Sequence, residues 1–339
     1  MNPVERGVRQ IDAWQQRHRI TAFPFAVVKK FGDDQAGNLV ALLTYFAFIA
    51  TFPLLLALSA ILGLVLRGDP ALQARIQSSA LAEFPIIGTQ LKSQIGLASL
   101  GHSGPSLVVG ILGAVLGGRG LANTIQNTLN SVWNVPKVDR PGFPSNWLRT
   151  LGLLGLLGVG AVITTAAASV AGAGQLLGLS GSLTSVLTFA VSTIADIGLF
   201  LVTFRVATAK TVATRDLVVG AVLSGVAWQI LLSLAGVIIG HDLKHAQAVA
   251  GFFGVVLGLL AWFGLQATVT VYAVEADVVR TRRLWPRSIT QPPLTPADKR
   301  FLRQSTEVET RRPEQKVEVA FTPQADHDPL RQSEPPTDQ

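Results

Sequence analysis

A short run of amide side chains follows one arginine in an otherwise apolar part of the chain. Between residues 119 and 130 these polar side chains recur at spacings of four, three and four, which places them on one face of a helix. They are Arg119, Asn123, Gln126 and Asn130, with Asn127 beside them. A guanidinium and several amides can donate hydrogen bonds together, so this face could bind an anion.

Further polar side chains fall in other apolar stretches at a similar depth. At 1.5 Å per residue, Arg119 and Asp196 both lie roughly 20 Å from the outer ends of their stretches. One interpretation is a buried pair that orients helices. The other is a polar path, in which Arg119 engages an anionic group and Asp196 balances its charge. The candidate path comprises Arg119, Asn123, Gln126, Asn127, Asn130, Asp196, Gln229 and Gln266.

The composition indicates a membrane protein. Hydrophobic residues make up 49% of the 339 residues and charged residues only 14%, against about 25% charged in soluble domains. The net charge of +7 fits basic cytoplasmic loops better than nucleic-acid binding, so no nucleic-acid partner is expected. The chain has no cysteine, which excludes disulfides and thiolate chemistry.

Six long apolar stretches predict an all-α protein with about six transmembrane helices. The first stretch would be roughly 45 Å long, more than the hydrocarbon core of about 30 Å, so a kink is expected at Pro53. The predicted spans are about 37–66, 105–133, 148–170, 183–206, 217–239 and 249–274.

Lysine and arginine density alternates from one connecting loop to the next, which predicts the topology. An even number of spans with both termini cytoplasmic satisfies every loop. Residues 1–36 form a basic, amphipathic N-terminal segment, within which 23–31 suits the headgroup plane. Residues 37–279 form the membrane domain, and the Pro-rich residues 280–339 are predicted to be a disordered cytoplasmic tail.

Carboxylates near the ends of the spans are predicted to be helix caps. Asp33 and Asp34 precede the first span, and Glu275 and Asp277 close the last. The sequence has no P-loop, HExxH or dinucleotide-binding motif. We therefore expect no enzymatic activity, no catalytic residue, no cofactor and no metal site.

Several motifs, in matching order over about residues 20–285, resemble those of the BrkB/YihY family of membrane proteins. They are LTYFAF (43–48), TFPLLL (51–56), TLNSVW (128–133), RDLVVGA (215–221), AWQ (227–229), GFFG (251–254) and VEAD (274–277). This chain has Gln229 where the family commonly has glutamate, and Ala276-Asp277 where Leu-Asn is usual.

The resemblance implies a multi-pass protein of the bacterial inner membrane with a link to envelope integrity. It also implies that the name ribonuclease BN, long attached to such proteins, is a misassignment. The leading hypothesis is a transporter or lipid-translocating protein with membrane lipids as partners. The alternatives are a non-transporting scaffold for envelope proteins and, third, a membrane nuclease. The sequence leaves the oligomeric state, the substrate and the energy source open.

Overall fold

The computed structural model describes residues 3–65, 104–156, 159–160 and 181–321, and helices dominate these ranges. Residues 145–156 are helical as well. The described residues contain no strand, and the prediction of an all-α protein is confirmed. In chain order the other helices are α1 (Pro3–Arg17), α2 (Arg19–Asp33), α3 (Ala36–Val65), α4 (Gly104–Val132), α5 (Gly181–Ala207), α6 (Val218–Thr281) and α7 (Pro296–Glu307).

Four helical segments within the described ranges are long and apolar enough to cross a membrane, and they match the first, fourth, fifth and sixth predicted spans. The second predicted span coincides with α4, and most of the third, 148–170, lies outside the described residues. The prediction of a multi-pass membrane protein is confirmed, whereas the number six stays a prediction. The four segments are Ala36–Leu54, Ser185–Ala207, Thr214–Ala235 and Val256–Thr281.

Helix α6 folds back on itself. The backbone N–H of Gly220 donates to Asp277 Oδ2 at 2.7 Å, although a straight helix would separate these residues by about 85 Å. The chain therefore reverses between them, and the fifth and sixth spans run antiparallel. We call residues 218–235 the first arm and residues 256–281 the second arm.

Helices α3 and α4 pack closely because α4 presents glycines to α3. A methyl group at Gly113 would lie 3.2 Å from Cβ of Pro53, and one at Gly120 would lie 2.5 Å from the ring of Phe46. Small residues of this kind let membrane helices approach each other. Pro53 lies inside α3, and the kink expected there stays a prediction.

The N-terminal helices dock on the segment that follows α6. The carboxylate of Asp12 accepts hydrogen bonds from Ser288 Oγ at 2.8 Å, from Ile289 N at 3.0 Å and from Thr290 Oγ1 at 3.1 Å. Lys29 on α2 donates to the carbonyl of Ser288 at 2.5 Å. Both terminal segments therefore lie at one end of the helix bundle, as an even number of spans requires.

Buried Arg287 joins α7 to α2. Its Nε donates to Asp298 Oδ1 at 2.7 Å, its Nη2 lies 2.8 Å from Asp33 Oδ2, and its guanidinium lies 4.4 Å from the ring centroid of Phe301. A capping box between Thr295 and Asp298 begins the helix. We call α1, α2 and residues 284–310 the terminal layer.

Two predictions made from the sequence differ from the structure of the terminal layer. The tail is ordered through α7, since a capping box and buried contacts outweigh a composition typical of disorder; residues 322–339 lie outside the described residues. The N-terminal residues 23–31 do not lie free in a headgroup plane. One face of α2 is buried, and Phe31 stacks on Tyr272 of the second arm with ring centroids 4.1 Å apart.

The terminal layer is expected to loosen in acid. Burial alone would raise the pKa of Asp12, but hydrogen bonds from Gln16 and residues 288–290 outweigh it and hold the pKa below its ordinary value of 3.8. The pKa of Asp298 is lowered in the same way, chiefly by Arg287 and Thr295. Because the folded state favours the ionised form, this stabilisation is complete above about pH 4 and is lost as the pH falls below 3.8.

Fluorescence anisotropy of a single dye on α1 would follow this release. The chain has no cysteine, so a Gln10→Cys variant takes one label, and the anisotropy is expected to fall as the pH is lowered from about 4 to 3. In a double variant that carries both Gln10→Cys and Asp12→Asn, the anisotropy should be low already at pH 7. An unchanged anisotropy across the whole range would contradict this assignment.

Candidate functional site

The four predicted amide residues of α4 line one polar pocket. It has a volume of about 280 Å³ and opens between α4 and the loop that follows it. Arg140 and Pro141 of that loop complete the lining together with Asn146, in the first turn of the helical segment 145–156. The four amides are Asn123, Gln126, Asn127 and Asn130, and their part in a transport path stays a prediction.

Asn130 is a structural clamp as well as a lining residue. Its Nδ2 donates to the carbonyls of Gln126 at 2.7 Å and of Ala207 at 3.2 Å. Its Oδ1 accepts from the backbone N–H of Ala209 at 2.8 Å. The side chain is 2% exposed, so it satisfies backbone groups where α5 ends.

A second set of hydrogen bonds joins α4 to the helical segment 145–156. Gln126 Nε2 donates to Thr150 Oγ1 at 3.2 Å, and Thr150 Oγ1 donates to Asn123 Oδ1 at 3.2 Å. Gln126 Oε1 is buried and has no hydrogen-bond partner in the described part of the protein. The two hydrogen bonds thus join Asn123, Gln126 and Thr150 into one chain between the two helices.

Arg140 supplies the positive charge of the pocket. Its Nε donates to the carbonyl of Val135 at 3.2 Å, which holds the side chain in place. Burial lowers the pKa of Arg140, and the Glu309 carboxylate raises it in turn. The guanidinium stays cationic at neutral pH, so the pocket combines one cation with several amides.

The predicted layer of Arg119, Asp196, Gln229 and Gln266 is not a single site. Arg119 is exposed, and its guanidinium lies 5.3 Å from the ring centroid of Trp147. Asp196 is buried and accepts a hydrogen bond from Gln229 Nε2 at 2.5 Å. Within the described residues no ion pair joins Arg119 to Asp196. The sequence interpretation paired Arg119 with Asp196. In the structure Arg119 contacts the ring of Trp147 instead, and Asp196 contacts the amide of Gln229.

Gln266 lies instead on a central apolar cavity of about 280 Å³. Side chains of α3, α4, α5 and both arms of α6 line it, Leu129, Phe204 and Trp228 among them. Gln266 Nε2 is buried and has no hydrogen-bond partner in the described structure. The residues that α4 contributes here lie on the helix face opposite the polar pocket.

A buried ion cluster lies where α2, α4 and the second arm meet. The Lys30 ammonium donates to Asp34 Oδ2 at 2.5 Å, to Glu275 Oε2 at 2.8 Å and to the carbonyl of Val132 at 2.8 Å. The side chains of Lys30 and Glu275 are 0% exposed, and that of Asp34 is 7% exposed. We call Lys30, Asp34 and Glu275 the Lys30 cluster.

The interpretation of these carboxylates as solvated helix caps is therefore wrong for Asp34 and Glu275. Asp277 does act as a cap, but for the first arm, because it accepts from Gly220 N in the first turn of α6. The sequence does hold a signal for Lys30. It follows Ala26 by four residues, so it lies on the apolar face of α2.

Comparison with known proteins gives a family. The model of the family described as Virulence factor BrkB matches residues 27–296. The Inner membrane protein YhjD of Escherichia coli (strain K12) is 26% identical over 274 residues, which cover 76% of this chain and 80% of that protein. No solved structure matches the chain. On this match the chain belongs to the BrkB/YihY family and is a multi-pass protein of the bacterial inner membrane.

Proposed function

We propose that this protein moves phospholipid across the inner membrane. The observation behind the proposal is a pair of cavities, one polar and one apolar, on opposite faces of α4. A phospholipid has the same division into a polar headgroup and apolar chains. We infer that the polar pocket receives the headgroup and the apolar cavity receives the chains during passage.

The polar pocket suits a phosphate-containing headgroup. Arg140 offers a guanidinium that can donate two parallel hydrogen bonds to phosphate oxygens. The exposed amide of Asn127 lines the same pocket. Arg140 and Asn127 thus offer the headgroup a cation and an exposed amide. In this role Arg140 takes the place that the sequence interpretation assigned to Arg119.

The proposed activity requires binding and release and no covalent step. We therefore propose that the protein is not an enzyme and needs no cofactor. Its substrates and its partners are then the same molecules, the lipids of the surrounding bilayer.

Lipid movement in liposomes containing the purified protein tests the proposal. Fluorescent phosphatidylglycerol and phosphatidylethanolamine in the inner leaflet would become accessible to an external quencher as they cross. An Asn127→Leu variant fills the pocket with an apolar side chain at an exposed position, and we expect it to slow movement at least tenfold. Arg140→Gln should slow the anionic lipid more than the zwitterionic one.

Asn38→Leu is the matched control, because it makes the same change at an exposed position on α3, away from the pocket. Its rate is expected to equal that of the wild-type protein. Wild-type movement no faster than in protein-free liposomes would reject lipid translocation. Equal slowing by both leucine variants would reject the pocket as the path.

One observation favours the scaffold alternative. Val4, Ile11 and Trp14 on α1 are 70%, 61% and 55% exposed, which leaves an apolar face on the terminal layer. A scaffold would lose its function when these side chains become polar, and a transporter would not. A triple Val4→Ser, Ile11→Ser, Trp14→Ser variant that retains full lipid movement separates the two.

A further inference from the structure

The Lys30 cluster holds two carboxyl groups against a single ammonium. Lys30 uses its three N–H donors on Asp34, Glu275 and the carbonyl of Val132, so the ammonium is saturated. With both carboxyl groups ionised, the cluster would have a net charge of −1 in a place with almost no solvent. An uncompensated buried charge of this kind is strongly unfavourable.

The charged groups around the cluster do not remove this excess. Lys30 comes from α2, and the Asp33 carboxylate acts on Asp34 with a further negative charge. Helix α4 contributes only the backbone carbonyl of Val132. On the second arm, Asp277 is engaged by Gly220 N and Arg280. Among the described residues, no second cation contacts either carboxyl group of the cluster.

We infer that the Asp34–Glu275 carboxyl pair is a proton-binding site. One bound proton makes the cluster neutral, with one ammonium, one carboxylate and one carboxylic acid. Asp34 Oδ2 and Glu275 Oε2 contact the same ammonium, at 2.5 Å and 2.8 Å, so the two carboxyl groups lie close together and a proton can be held by the pair. Burial raises the pKa of Asp34, which also favours a bound proton. Glu275 Oε1, which is buried and has no partner in the described structure, leaves room for the acid form.

Proton binding at this position acts on the packing of helices. The cluster joins the end of α2, the end of α4 and the second arm of α6 through the ammonium of Lys30. When the proton leaves, a negative charge returns to the junction and its stability falls. The site therefore links proton occupancy to the contact between these three helices, whatever molecule the protein moves.

Infrared spectroscopy of the full-length protein in lipid nanodiscs tests the inference. At pH 7 the wild-type protein should show the C=O stretching band of a protonated carboxylic acid, and the band should disappear at alkaline pH. Glu275→Gln or Asp34→Asn leaves a single carboxylate with Lys30, and loss of the band in either variant supports the site. A band absent from the wild-type protein, or surviving in both variants, overturns it.

Thermal unfolding gives a second measurement that does not depend on band assignment. Glu275→Gln mimics the protonated acid and takes up no proton on folding, so its Tm at pH 7 should be at least as high as the wild-type value. Between pH 7 and pH 9 the wild-type Tm should fall while that of Glu275→Gln stays level. Glu309→Gln, at an exposed carboxylate, is the control and should follow the wild-type curve. Equal pH dependence in Glu275→Gln and wild-type protein would overturn the inference.

Discussion

Replacing Lys30 with methionine is expected to destabilise the protein by about 3–5 kcal/mol, because removing one partner of a buried ionic cluster leaves the others uncompensated. Methionine is similar to lysine in length but lacks the ammonium. Asp34 and Glu275 would then lie buried with no cation of the described residues within 4 Å, and the carbonyl of Val132 would lose its donor. Thermal unfolding in nanodiscs and the yield of folded protein in the membrane fraction measure the effect.

The neighbouring lysine gives a matched control. Lys29 is 18% exposed and lies 3.6 Å from Asp298, which keeps Arg287 as a partner at 2.7 Å. Lys29→Met also removes the donor to the Ser288 carbonyl, so it should cost about 1–2 kcal/mol, less than Lys30→Met. If Lys29→Met and Lys30→Met lower the Tm equally, the Lys30 cluster does not contribute the stability assigned to it.

Replacing two asparagines that line the same pocket is expected to change the stability of the protein by very different amounts. Asn130→Ala removes the partner of the Ala209 N–H and of the Ala207 carbonyl, and each buried unsatisfied group costs about 1–3 kcal/mol. We expect a loss of about 3 kcal/mol, measured as a lower Tm. Asn127 is exposed, and Asn127→Ala should change stability by less than about 0.5 kcal/mol.

The same two variants separate structure from transport. Asn127→Ala should alter the rate of lipid movement while its Tm stays at the wild-type value. Asn130→Ala should reduce the amount of folded protein, with the rate per folded molecule changed less. Equal losses of stability in both variants would contradict the clamp assigned to Asn130.

The sequence was most informative where a local pattern decides the structure. Apolar length alone located the spans now seen at Ala36–Leu54 and Ser185–Ala207. The spacing of the amides on α4 placed them on one helix face, and a pocket lies on that face. Both inferences needed only the rise and the periodicity of an α-helix.

The contacts that the sequence could not supply join residues far apart in the chain. Lys30 and Glu275 are 245 residues apart, and each alone is an ordinary charge near the end of a helix. Asp196 was assigned an arginine partner because both lay at one depth, but depth does not fix the direction in which a helix faces. Gln229, from another helix, occupies that position instead.

The docking of α1 has a consequence for biosynthesis. Asp12 and Ser288 are 276 residues apart, and the ribosome makes the chain from its N-terminus. The partners of α1 therefore leave the ribosome only after every membrane segment has been made. Until then Asp12 lacks its partners at residues 288–290. Closure of the terminal layer therefore requires that every membrane segment has been made, and a product truncated before residue 288 cannot form these contacts.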